Sequence, residues 1–216
     1  MIGKLLTKAR ELLKPSAPDG ARSDRKEPPV PKQPNGPIPA AQRTISPAAP
    51  ENILLYEEGD FRFSMPLEKE EREVLEEARK RYAEMKERFG EGANAWEKNQ
   101  LAHFKAKQYW SLQIFYKDRA QFHYKRRNED PESLKKAIYY CQKQIQYAPM
   151  AIRAHRMDPL TKELPHHYGY RQLAIIRDKE GQYDEAIRLC EEALNQGWKG
   201  DWEARIERYK KKRSGT

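Results

Sequence analysis

From about residue 53 onward, apolar residues recur at three- and four-residue steps, which is the spacing of an amphipathic helix. The pattern predicts six helices, at about 66–89, 94–127, 131–147, 166–180, 183–196 and 200–213. Pro66 suits a first helical turn, while Gly90 and Pro149 are expected to end helices. Alternating residues 60–64 predict a short extended piece, but no hairpin and no glycine-rich phosphate loop is expected. Residues 53–216 are therefore predicted to form one all-helical domain.

The first 52 residues have a different pattern. Residues 1–14 place apolar side chains on one helical face and mostly basic ones on the other, which predicts a short basic amphipathic helix. Such a helix either contacts an anionic membrane or a partner groove, or forms only weakly in isolation. Residues 15–52 contain ten of the 15 prolines and few large apolar residues, so they are predicted to be a disordered proline-rich linker.

Charge and composition narrow the class of protein. The chain has 216 residues, 35% of them charged, and a net charge of +9, of which residues 91–216 supply the largest excess. The basic run 210–213 is interpreted as a solvated helix end that suits the negative pole of the helix dipole. No long uncharged apolar run is present, which excludes a spanning helix in this sequence. Two cysteines cannot form a disulfide framework, so a reducing, cytoplasmic location is expected.

An internal repeat is the most specific pattern in the sequence. Residues 136–141 (KAIYYC) and 185–190 (EAIRLC) share Ala-Ile, with a cysteine four residues after the alanine and an aliphatic residue four further on. A small alanine lets a neighbouring helix approach closely, and the apolar residues fill the groove beside it. Self-similarity of this size is typical of stacked helical pairs.

The stretch 167–198 resembles a tetratricopeptide repeat, a unit of two antiparallel helices. Its matching residues are Tyr170, the pair Leu173-Ala174, Gly181 and Tyr183 at the turn, and Ala186, Ala193 and Leu194 in the second helix. Arg177, Cys190 and Trp198 depart from the family pattern. A degenerate unit at about 118–150 keeps Ala137 and Pro149, and residues 151–165 would be an insertion between the two units. The resemblance implies an all-α fold of antiparallel helical hairpins in a short right-handed stack, with 200–213 as a cap that buries Trp202, Ile206 and Tyr209.

The resemblance also implies a function. Proteins of this type bind a peptide or another protein on a concave face lined by the first helix of each pair. Carried onto this sequence, the partner-binding residues would be Arg119, Phe122 and Arg126 from the first unit, and Tyr168, Arg171 and Ile175 from the second. Three arginines in this set favour an acidic partner. The expected function is that of a non-enzymatic adaptor or scaffold.

Candidate chemistry is sparse. Cys141 and Cys190 lie on equivalent apolar helix faces and are interpreted as buried structural thiols. The histidines and cysteines lack metal-ligand spacing, and the glutamate-rich stretch 68–77 is interpreted as a solvated helix face, so no metal, cofactor or catalytic residue is expected. Two alternatives remain open. Basic residues among the aromatics of 104–124 could bind nucleic acid, although aromatics at this spacing are more often core. Residues 1–14 could anchor a peripheral membrane adaptor.

Overall fold

The computed structural model describes residues 52–215, so the predicted helix at 1–14 and nearly all of the predicted linker at 15–52 lie outside the described residues. The described part of the chain is mostly helical. Its elements are β1 (Ile53–Glu58), β2 (Phe61–Pro66), α1 (Lys69–Phe89), α2 (Ala95–Lys125), α3 (Pro131–Gln146), α4 (Ala148–Arg156), α5 (Tyr168–Lys179), α6 (Tyr183–Gln196) and α7 (Trp202–Ser214).

The two strands form an antiparallel hairpin, so the prediction that residues 53–216 are entirely helical is wrong at their N-terminal end. Gly59 and Asp60 make the two-residue loop, and the positive φ of Gly59 explains why glycine stands there. Leu54 and Tyr56 are buried against helices, whereas Ile53 and Leu55 face solvent. The side chains of residues 53–56 thus alternate between exposed and buried, which is the period-two pattern of a strand. The Gly-Asp loop between two such runs was the sequence signal that could have identified the hairpin.

A buried carboxylate fixes α1 against its neighbours. Glu71 is 1% exposed and accepts hydrogen bonds from the hydroxyls of Tyr116 on α2 and of Tyr147, the latter at 2.9 Å. The Nζ of Lys143 on α3 lies 3.5 Å from the same carboxylate oxygen. Burial and the nearby carboxylate raise the pKa of both tyrosines, which therefore stay neutral donors. The interpretation of 68–77 as an entirely solvated face is therefore wrong at Glu71.

The region after α3 also differs from the prediction. Helix α3 ends at Gln146, close to the predicted end, but Pro149 starts a new helix, because it lies in the first turn of α4, where a missing backbone N–H costs nothing. Ala148, Met150 and Ala151 of this helix are buried, and α4 packs on α2. Part of the expected insertion at 151–165 is therefore a helix. A 2.7 Å hydrogen bond between His103 Nδ1 and Asp158 Oδ2 holds the following segment to α2.

The remaining helices build a second core. Helix α3 packs on α5, α5 on α6, and α6 on α7. The burial expected from the repeat is confirmed, since Ala137, Ala186, Cys141 and Cys190 are all fully buried. Burial is also confirmed for the three inward residues of α7, which are Trp202, Ile206 and Tyr209. None of the helices between residues 52 and 215 is long and apolar enough to cross a membrane.

Candidate protein-binding groove

Side chains of helices α1 and α2 line an open groove of about 620 Å³ on the surface. Both helices have clear starts, because Glu68 with Glu71 and Asn94 with Glu97 form capping boxes. The floor of the groove is apolar and consists of Val74, Ala78, Phe104, Trp110, Ile114 and Phe115. Ile114 is 47% exposed, although it lies mid-helix among other apolar side chains. The apolar side chains of a partner helix could contact this lining.

The two walls of the groove carry opposite charge. Helix α1 contributes three carboxylates spaced along one face, those of Glu70, Glu73 and Glu77, whereas α2 contributes Lys107 and Arg119. Arg81 adds one positive charge on the α1 side, and its Nε lies 3.1 Å from Glu77 Oε1. A charge pattern of this kind orients a partner more than it adds affinity.

Arg119 connects the two walls. Its Nη2 lies 3.1 Å from Glu70 Oε2, and its guanidinium lies 5.2 Å from the centre of the Phe115 ring. Lys107, in contrast, forms no ion pair with any residue between 52 and 215. On the basic wall, Arg119 is therefore held by an ion pair, whereas the ammonium group of Lys107 can pair with a ligand.

The six residues predicted to bind a partner do not line one cavity. Arg119 lines the groove, whereas Phe122 lies further along α2 and Arg126 directly follows that helix, with the Arg126 guanidinium 5.2 Å from the Phe122 ring centre. Phe122 is 52% exposed. Arg126 Nε also lies 3.7 Å from Glu129 Oε2. These two residues form a small exposed surface of their own.

The three predicted residues of α5 have different environments. Tyr168 is half-buried and packs against the core that contains Cys141, and burial raises the pKa of its hydroxyl. Ile175 is half-buried too. Arg171 is exposed and lines a separate small cavity beside Arg205. That these three residues bind a partner stays a prediction.

Sequence reasoning missed the groove itself. The signal for it was present, since the aromatic residues of 94–127 fall on more than one helical face, which indicates neighbours on two sides. Within the described residues, helix α2 contacts α1, α3, α4 and α5, yet Ile114 still faces solvent. No residue between 52 and 215 therefore covers Ile114.

Metal binding and thiol chemistry have little support among the described residues. No group of three or more His, Cys, Asp or Glu side chains between residues 52 and 215 is placed to hold a metal ion. Burial raises the pKa of the Cys141 thiol to about 12 and that of Cys190 to about 11, which keeps both thiols protonated and unreactive at neutral pH. Comparison with protein-family models, curated proteins and solved structures gives no match.

Proposed function

We propose that this chain is a protein-binding helical scaffold, and that the α1–α2 groove is where it binds a helix of its partner. The observation that carries the proposal is the apolar lining of the groove, in which Ile114 is exposed. An amphipathic helix laid in such a groove buries its apolar stripe against both walls. The order of helix packing, α2 on α3, α3 on α5 and α5 on α6, supports a stack of the tetratricopeptide type.

The charge pattern defines the partner further. A helix in the groove would present basic residues towards Glu73 on α1 and acidic residues towards Lys107 on α2, flanking its apolar stripe. The predicted preference for an acidic partner thus applies to the α2 side of the groove. The other five predicted residues remain candidate partner-binding residues outside the groove, Phe122 and Arg126 at the C-terminal end of α2, and Tyr168, Arg171 and Ile175 on α5.

Nucleic-acid binding is less well supported than protein binding. The faces of Phe115, Phe122 and Tyr124 are covered by arginines three or four residues further along the chain, at 5.2, 5.2 and 4.2 Å from the ring centres. Bases would have to displace these guanidiniums before they could stack. The carboxylates of α1 would also repel phosphates at the groove.

The test is affinity capture with identification by mass spectrometry, at low and at high salt and with nuclease treatment. The full chain is compared with Ile114→Asp in the groove and with Leu160→Asp as a matched control, since Leu160 is 48% exposed and lies outside the groove. Partners lost with Ile114→Asp but kept with Leu160→Asp are the expected result. Partners kept by both variants would exclude the groove, and binding abolished by nuclease would favour nucleic acid.

A further inference from the structure

The part of the α1–α2 pair next to its connecting loop has no core of its own. Helix α1 has two buried residues, Glu71 and Leu75, and both lie in its first two turns. The first buried residue of α2 is Ala106, so no side chain of 76–89 or of 95–105, all within the described part of the chain, is buried. These two ranges together are called the arm below.

The arm is nevertheless rich in apolar residues. Its large apolar side chains are half-buried or exposed, and they are those of Tyr82, Met85, Phe89, Trp96, Leu101 and Phe104. Trp96 is 62% exposed. A helix obtains most of its stability from packing of its apolar face, and two helices without a core supply little of it. We therefore expect a further element to pack on the arm and on the groove beside it.

The charges of α1 are divided along its length. Residues 69–77 hold five glutamates and two basic residues, whereas residues 78–89 hold five basic residues and two glutamates. This division suits the dipole of the helix itself, and it also determines how two copies of α1 can pair. Antiparallel copies place the acidic part of each beside the basic part of the other, whereas parallel copies would place like charges together.

The same division is present on the face of α1 that lines the groove. In the acidic part, this face carries Glu70, Glu73 and Glu77, and in the basic part it carries Arg81. Arg88 continues the face, because it follows Arg81 by seven residues, or about two helical turns. Ala78 also lines the groove and lies between the acidic and the basic charges, where its small side chain lets a second helix approach closely.

The direction of α2 fits the antiparallel orientation. Helix α2 runs antiparallel to α1, because Phe89 contacts Trp96 at one end of the pair and Glu70 contacts Arg119 at the other. A second α1 that is antiparallel to the first therefore runs parallel to α2, with its acidic part beside the N-terminal half of α2. Lys107 lies in that half and lines the groove, so its ammonium group can pair with a carboxylate of the second copy.

We propose that the α1–α2 groove binds α1 of a second copy of this chain in an antiparallel orientation. The inference rests on the proposed function, since it identifies the partner helix of the groove as α1 itself. A two-fold axis relates the two copies, so each α1 fills the groove of the other and the contact closes as a dimer. Ile114 and the apolar lining of both grooves are then shielded from water.

The experiment measures the mass of the full chain in solution by analytical ultracentrifugation over a range of concentrations. A reversible dimer is expected. Ile114→Asp should weaken the dimer at least about tenfold, because it places an unpaired charge in the interface. Leu160→Asp introduces the same charge at an exposed residue outside the groove and should leave the dimer unchanged.

Charge reversal tests the antiparallel orientation. Glu73→Lys/Glu77→Lys makes both parts of α1 net basic, and Arg81→Glu/Arg88→Glu makes both parts net acidic. All four residues are exposed, so both variants are expected to fold. Each variant alone should dimerise at least about tenfold more weakly, because like charges meet. An equimolar mixture of the two should form a heterodimer, because opposite charges then meet in both halves of the interface.

The matched control for charge is Glu191→Lys/Glu203→Lys, which makes the same charge change at exposed residues of α6 and α7 and should leave the dimer unchanged. A chain that is monomeric throughout the range, or reversal variants that do not dimerise when mixed, would overturn the inference. A monomer whose captured partners are lost with Ile114→Asp would overturn this inference and leave the proposed function standing. A dimer that Ile114→Asp does not weaken would overturn the groove as the binding site.

Discussion

Gln113 and Gln144 bind each other reciprocally in the core between α2 and α3. Each side-chain amide donates to the other residue's backbone carbonyl at 2.9 Å. The remaining Gln144 oxygen accepts the backbone N–H of Gly169, on α5, at 2.7 Å. Gln144 is 4% exposed, so these bonds are shielded from water and one side chain connects three helices.

Replacing Gln144 should therefore be costly. Gln144→Ala leaves the Gly169 N–H and the Gln113 carbonyl buried without their partner, and we expect a loss of about 2–4 kcal/mol in the free energy of unfolding. Gln113→Ala removes fewer bonds and should cost less. Urea denaturation of both variants and of the double mutant measures this. Additive effects would contradict a shared network.

Gly169 should tolerate no side chain. A Cβ there would lie 2.8 Å from the Cys141 carbonyl oxygen and 2.9 Å from Gln144 Oε1, so α3 and α5 would have to move apart. Gly169→Ala is expected to destabilise the protein by about 1–3 kcal/mol. Gly92→Ala is the control, since a Cβ there meets nothing within 4 Å, and it should change stability by less than about 0.5 kcal/mol. Thermal or urea unfolding measures both, and equal stabilities would refute the close approach.

Stability should fall in acid partly through Glu68. The Lys143 ammonium, 2.7 Å away, and then the Tyr139 hydroxyl, at 2.6 Å, hold the pKa of Glu68 below its ordinary value of 4.5. Because the folded pKa is lower than the unfolded one, this contribution is fully present above about pH 4.5 and is lost as pH falls through the folded pKa. The carboxylate is 55% exposed, which limits the effect. Urea midpoints of the wild type and Glu68→Gln should therefore converge in acid, and a constant difference across the range would contradict the assignment.

The two thiols should react only after unfolding. Both cysteines are fully buried, and burial raises the pKa of both, so the thiolate is scarce and shielded. With a thiol reagent at neutral pH, we expect no fast reaction in the native protein and two equivalents in denaturant. Rapid modification of one cysteine in the native protein would show that its helix opens locally.

Local patterns were enough to predict most of the helices. Six of the seven were expected near their observed positions, because helical periodicity and capping residues such as Asn94 act within a few residues of the chain. The repeat identified Ala137 and Ala186 as buried contacts because it, too, is a pattern of residues close together in the chain. Helix α4 was missed because Pro149 was interpreted as a stop, when a proline suits a first turn equally well.

The tertiary structure decided which side chains of different helices meet and which helix faces stay exposed. Glu71 is one of six glutamates in its stretch, and only the approach of Tyr116 and Tyr147 from other elements makes it the buried one. The α1–α2 groove depends on how two helices pack against each other, and the cavity beside Arg171 depends on Arg205, which lies 34 positions away in the chain. The sequence by itself determined the helices and their apolar faces, because those follow from neighbouring residues. Which faces stay uncovered was decided by packing between distant segments, which no local pattern records.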